Sequence, residues 1–200
     1  MGQRRPLFPA EPGRDRELMA VGLANRLAVL LATGLYLSYI PSKFFDAVAR
    51  AGDVKGFWIR MKGRRWTGSG LVGALEGLAL VSFLPAQPLK LGAFLAVATA
   101  TACWVCDRAE KAFGVRDDAR IVLDEVVGFW TAVAFLPATS AVWIAGFVLF
   151  RLLDAVKLPP YRWLDRLPGG LGVVADDVGA GLAANVVLRA LLAFVPGLGL

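Results

Sequence analysis

The sequence predicts an all-α fold, a compact bundle of about six helices that is membrane-embedded or membrane-associated. Three observations predict it. The chain of 200 residues is 57% hydrophobic and 19% charged, against roughly 45–50% and about 25% in ordinary soluble domains, and its mean hydropathy is +0.59. The apolar residues fall in blocks long enough for helices. Ala, Leu and Gly dominate those blocks, not the alternating β-branched residues of a strand. So apolar a chain has ample surface to bury, which excludes disorder, and its length suits about one domain. The expected organisation is a polar tail over residues 1–17 and a single helical domain over 18–200, carrying a basic, aromatic insert at 43–66.

The elements follow in order. The tail carries Arg4, Arg5, Arg14 and Arg16 among prolines and shows no apolar core with a small-residue cleavage site, so no secretory signal is expected. Residues 27–42 are uncharged and read as helix up to Pro41. The insert interleaves Lys43, Arg50, Lys55, Arg60, Lys62, Arg64 and Arg65 with Phe44, Phe45, Phe57, Trp58 and Trp66, a composition that suits either a segment lying on anionic headgroups or a solvated loop. Apolar blocks then occupy 68–84 (with Glu76 its one acid), 91–106, 121–136, 140–158 and 171–192. The uncharged run 126–150 is cut by Pro137. A spanning helix wants ~20 apolar residues, so most blocks are marginal spans.

Composition also excludes chemistries. The chain has no histidine, which removes Ser-His-Asp triads, histidine phosphatases and the usual zinc sites. Cys103 and Cys106 are the two cysteines; they cannot build a disulfide framework, and in an apolar helix they read as small buried residues. The cysteine-phosphatase spacing fails because Ala109 and Ala112 stand where arginine is needed. A phosphate-binding glycine loop, the paired aspartates of haloacid dehalogenases and the aspartate array of CDP-alcohol phosphotransferases are all missing. The net charge of +6, joined to high hydropathy, favours an anionic membrane surface over nucleic acid as partner.

Ionisable residues inside apolar helices are expensive and therefore functional candidates. Asp124 and Glu125 open one apolar block, and Asp176 and Asp177 lie near the start of another. Arg151, Asp154 and Lys157 recur at intervals of three down one helix, with Arg162 and Asp165 following. Clustered carboxylates suit a hard cation such as Mg²⁺, while guanidinium and ammonium groups suit a phosphate. Together they point to metal-assisted phosphoryl transfer. The plainer reading is that these are boundary charges and intrahelical pairs such as Arg151 with Asp154. Asp107, Glu110, Asp117 and Asp118, mixed with Arg108, Lys111 and Arg116, read as solvated surface or as support for the site.

These residues resemble a known family. Ile121-Val122-Leu123-Asp124-Glu125-Val126-Val127-Gly128-Phe129-Trp130 is similar to the IVxDExxGxW motif of the phosphatidylglycerophosphatase A family, and Phe150 to Lys157 to its FRxxDxxK. Pro160-Tyr161-Arg162-Trp163-Leu164-Asp165 follows PxRxxD, and Gly169 to Asp177 follows GGxGxxxDD, with glycine again at 181. The resemblance implies an all-α, Mg²⁺-dependent lipid phosphatase that converts phosphatidylglycerophosphate to phosphatidylglycerol at the cytoplasmic face of a bacterial inner membrane. It implies Asp124, Glu125, Asp154, Asp176 and Asp177 as metal-binding and water-activating carboxylates, with Asp124, Glu125, Asp154 and Asp177 catalytic. Arg151, Lys157 and Arg162 become phosphate ligands. The chain departs from the family's pattern in two places. Leu158 stands at the first proline of KPxPxR, and a glycine-rich N-terminal pattern is split between 38–41 and 66–70 by the insert. A non-catalytic family member, kept as an anionic-lipid binder or scaffold, is the alternative that this split keeps open.

Overall fold

The computed structural model describes residues 22–41, 68–156, 163–164 and 167–194. The tail, the insert, Lys157, Arg162 and Asp165 lie outside the described residues. Among the described residues six α-helices of ten or more residues follow in order: α1 (Leu23–Ala32), α2 (Ser69–Leu80, continued by a 3₁₀ turn Val81–Phe83), α3 (Pro88–Phe113), α4 (Leu123–Val133), α5 (Ser140–Val156) and α6 (Gly170–Phe194). The described residues contain no strand.

Local chemistry sets several boundaries. Pro88 occupies the first turn of α3, where its missing N–H is no loss. Gly114, at φ +64°, ends the same helix by donating its N–H to the Glu110 carbonyl. This helix runs well past the apolar block, through Asp107 and Arg108, both half-buried, and exposed Lys111. The helix expected up to Pro41 instead breaks after Ala32, and helical residues resume only at 39–41. The Thr33 hydroxyl donates back to the Val29 carbonyl at 2.8 Å and accepts the Tyr36 N–H at 3.2 Å. Gly34, Leu35 and Tyr36 then take φ values of +54°, +51° and +68°. A local side-chain bond thus outcompetes the next helical turn.

The helices run alternately up and down. Contacts bring the C-terminal ends of α1, α3 and α5 and the N-terminal ends of α2, α4 and α6 to one end of the bundle. The short helix α4 is central and touches the other five. One apolar cluster joins α1, α3 and the starts of α4 and α6 around Val105, Phe113, Val127 and Val174. A second joins α2, α4, α5 and α6 around Phe129 and Phe150, both fully buried.

At ~1.5 Å per residue, α3 and α6, with 26 and 25 residues, reach ~37–39 Å. The 11 residues of α4 reach only ~16 Å. Both long helices are apolar and long enough to cross a membrane. Large apolar side chains also face outward, among them Leu89 and Val97 of α3 and Leu182, Val186 and Phe194 of α6.

α4 and α6 cross where neither carries a side chain. A Cβ on Gly181 would strike the Gly128 carbonyl, and one on Gly128 would lie 2.9 Å from the Asp177 carbonyl. That backbone approach draws the acid pair of α6 toward the acid pair of α4.

Candidate functional site

Asp124 and Glu125 fall in the first turn of α4, where the helix dipole favours negative charge. Asp177 comes from the second turn of α6. One carboxylate oxygen from each of the three lies within 4.8 Å of the others. Asp124 and Asp177 are only 6% and 5% exposed, so the cluster sits in a low-dielectric interior. Burial above all, then the charges of Glu125 and Asp177, push the Asp124 carboxyl well above the usual range. Burial also raises Glu125, which a hydrogen bond with Asp124 and the Arg151 guanidinium draw partly back.

Among the described residues, the buried carboxylate oxygens without a hydrogen bond are Glu76 Oε1, Asp124 Oδ1 and Glu125 Oε2, and Arg151 Nη1, though ion-paired with Asp154, makes no hydrogen bond either. All four gather at this end of the bundle. An uncompensated buried carboxylate oxygen costs several kcal/mol, and a hard cation among oxygen donors is the partner that removes the cost. Asp124, Glu125 and Asp177 fit such an ion by donor type, spacing and orphaned atoms together.

Arg151 approaches from α5, with Nη1 2.9 Å from Asp154 Oδ2. Asp154 is therefore held to its own helix's guanidinium and stands outside the three-carboxylate group, as does buried Asp176. Lys157 and Arg162 lie outside the described residues.

Glu76, the acid noted in the second apolar block, turns out to belong here. It projects from α2, a helix too short to cross a membrane, and its carboxylate rests against Gly34 in the left-handed turn. Burial and then the charge of Glu125 raise its pKa to about 7. Gly70, also on α2, leaves room for the Glu125 carboxylate; a Cβ there would overlap Glu125 Oε1 and come within 3.1 Å of Arg151 Nη2.

The segment entering α4 is fastened from both sides of the insert. The Ser38 hydroxyl donates to the Arg120 carbonyl at 2.8 Å, and the Ser69 hydroxyl donates to the Ala119 carbonyl. Val122 donates its N–H to the Ala32 carbonyl at 2.7 Å. Arg120 is gripped by Asp118 through two contacts of 2.7 Å and stacks 3.8 Å from the Phe113 ring centre. Glu110 and Asp118 are buried supports, with Glu110 accepting the Asp117 N–H. Ser38 and Ser69, one from each half of the split pattern, thus both close on 119–120.

Fold and site together define a class: an all-helical, outwardly apolar protein with a buried acid centre suited to a cation and an arginine beside it. The phosphatidylglycerophosphatase A family model matches residues 57–192, and the chain belongs to that family. It is 37% identical over 124 residues to phosphatidylglycerophosphatase A of Escherichia coli, covering 60% of this chain and 71% of the relative. It is 35% identical over 127 residues to the protein of the same name from Haemophilus influenzae, covering 62% and 77%. A Bacteroides thetaiotaomicron protein provisionally named a phosphatidylinositol-3-phosphatase is 32% identical over 127 residues, covering 61% and 79%. No solved structure matches the chain.

Proposed function

We propose that this protein is a Mg²⁺-dependent phosphomonoesterase that hydrolyses phosphatidylglycerophosphate to phosphatidylglycerol and phosphate. The observation that carries the reading is the convergence of Asp124, Glu125 and Asp177 beside Arg151, in a chain whose relatives are named for that activity. Asp124, Glu125 and Asp177 would hold the ion, which when bound offsets phosphate charge and makes a nearby water more acidic.

The chain's own residues do the rest. Arg151, aimed by Asp154, neutralises phosphate oxygens in its planar fork. Lys157 and Arg162 add positive charge from the segment that follows α5. Asp176 supports the acid pair from the same turn of α6. In the reaction, a water oxygen bonds to phosphorus as the bond from phosphorus to the glycerol oxygen breaks, and that oxygen takes up a proton. A carboxylate of this cluster would take up the proton from the water.

α3 and α6 would span the membrane, placing the site near one headgroup layer. Arg108, Lys111, Arg116 and Arg120 gather in the helix end and loop beside it, and the insert adds its basic residues in sequence. The positive-inside tendency assigns that end to the cytoplasm, which in a bacterium is the inner face of the inner membrane. We also take 18–200 as one domain, since α4 touches every other described helix.

The non-catalytic alternative needs a lost active loop. Ser38 and Ser69 closing on 119–120 weighs against that loss. The discriminating assay measures phosphate release by the purified chain from vesicles containing phosphatidylglycerophosphate, phosphatidic acid or phosphatidylinositol 3-phosphate, with and without chelator. Chelator-sensitive release that is fastest from phosphatidylglycerophosphate is the expected result. Release from none of the three overturns the enzymatic reading, and preference for the inositol lipid reassigns the substrate.

A further inference from the structure

α4 bears two of the three carboxylates, yet it ends only ~16 Å from its start. Its last residues, Ala132 to Ala134, are buried in the bundle, while Phe135 just beyond them and Arg189 of α6 are exposed; unpaired backbone groups at such a buried end are costly. α6 supplies their partners. Asn185, 9% exposed, donates its side-chain amide to the carbonyls of Thr131, Ala132 and Ala134 at 3.2, 3.0 and 2.9 Å. Arg189 donates Nε to Asn185 Oδ1 at 2.8 Å, and its Nη2 reaches the Ala134 carbonyl at 3.4 Å. A cation thus sits at the negative end of the α4 dipole, opposite the end that carries Asp124 and Glu125.

Spacing turns this cap into a ruler. Asp177, Gly181, Asn185 and Arg189 recur every four residues along α6, so they form one slowly drifting stripe on the surface that packs against α4. Gly181 meets the Gly128 carbonyl midway. Asp177 meets Glu125 and Asp124 at one end, and Asn185 with Arg189 grips the other. A helix is axially stiff, so a slip at its C-terminal end is transmitted to its first turn. One residue of slip is ~1.5 Å, enough to open a ligand set whose oxygens lie within 4.8 Å.

We infer that Asn185 and Arg189 are positioning residues, fixing the axial register of α4 against α6 so that the three carboxylates converge on one ion. The inference rests on the cation-binding reading of the site, and its test separates the two. Mn²⁺ binding is followed by electron paramagnetic resonance on the chelator-treated full chain, alongside thermal unfolding and the Mg²⁺ dependence of phosphate release. Asn185→Ala should weaken Mn²⁺ binding about tenfold, the scale seen when groups that orient metal ligands are removed. The half-saturating Mg²⁺ concentration should rise in step, with kcat at saturating Mg²⁺ changed far less. Arg189→Gln should weaken Mn²⁺ binding about threefold, and Arg189→Lys should restore most of that loss.

Folded Asn185→Ala and Arg189→Gln proteins that bind Mn²⁺ within twofold of the unaltered chain overturn the inference, leaving a purely structural cap. Should Asn185→Ala fail to fold, Arg189→Gln decides alone, since it retains the Asn185 amide and its carbonyl partners. An unaltered chain that binds no Mn²⁺ overturns the cation reading itself, and the inference with it.

Discussion

The two ends of α4 are built on opposite terms. At its C-terminal end, the carbonyls of Thr131, Ala132 and Ala134 are met by one asparagine amide, backed by an arginine. At its N-terminal end, two adjacent carboxylates are buried, each with an oxygen that no described residue satisfies. Both ends lie in the same bundle and against the same partner helix. The difference teaches where to look for function: a fold able to pair polar groups at one end has left them unpaired at the other, where a bound ion and phosphate would complete them.

The sharpest way to break this contrast is to neutralise the unpaired end. Asp177→Asn should lower phosphate release by a factor of a thousand or more, on the order of 4 kcal/mol of transition-state stabilisation. The same change removes a buried charge, so the chelator-treated variant should unfold at a temperature equal to or above that of the unaltered chain. A variant that loses activity only because it unfolds would erase the distinction between the two ends. The close crossing between them should be less tolerant of added volume. Gly181→Ala places a Cβ against the Gly128 carbonyl and should cost about 1–3 kcal/mol in denaturant unfolding.

Much of this was legible in the sequence, and the rest was hidden for identifiable reasons. Asp124-Glu125 and Asp176-Asp177 declared themselves as acid pairs in apolar helices, because burying charge is rare without cause. The blocks at 121–136 and 140–158 gave α4 and α5 nearly in place, since Pro137 marks the break between them. The stop at Thr33 was hidden because uncharged residues there continue a helical pattern, while the deciding bond is a side-chain hydroxyl to its own backbone. Glu76 was visible as a lone acid, but only its packing against Gly34 and its nearness to Glu125 give it a place. Asn185 gave no signal, since its partners lie more than fifty residues away.

A smaller effect sharpens the comparison through pH. The pKa of Glu76 is raised from 4.5 to about 7 in the fold, so the native state holds a proton that the unfolded chain releases. Stability of the chelator-treated protein should therefore fall as pH rises from about 4.5 to about 7, then level off with respect to this group. Glu76→Gln should flatten that slope in thermal unfolding followed across the interval; an unchanged slope would remove Glu76 from the polar end. Smallest of all, Ser38→Ala should cost about 1 kcal/mol in stability by freeing the Arg120 carbonyl, with phosphate release reduced only severalfold.

The most direct test of the central claim is a titration of the chelator-treated chain with Mn²⁺, comparing it with Asp177→Asn and Asp154→Asn. Convergence of Asp124, Glu125 and Asp177 predicts one tight ion per chain, abolished by Asp177→Asn and retained by Asp154→Asn, whose carboxylate belongs to Arg151. Equal Mn²⁺ affinity in the unaltered chain and Asp177→Asn would contradict it.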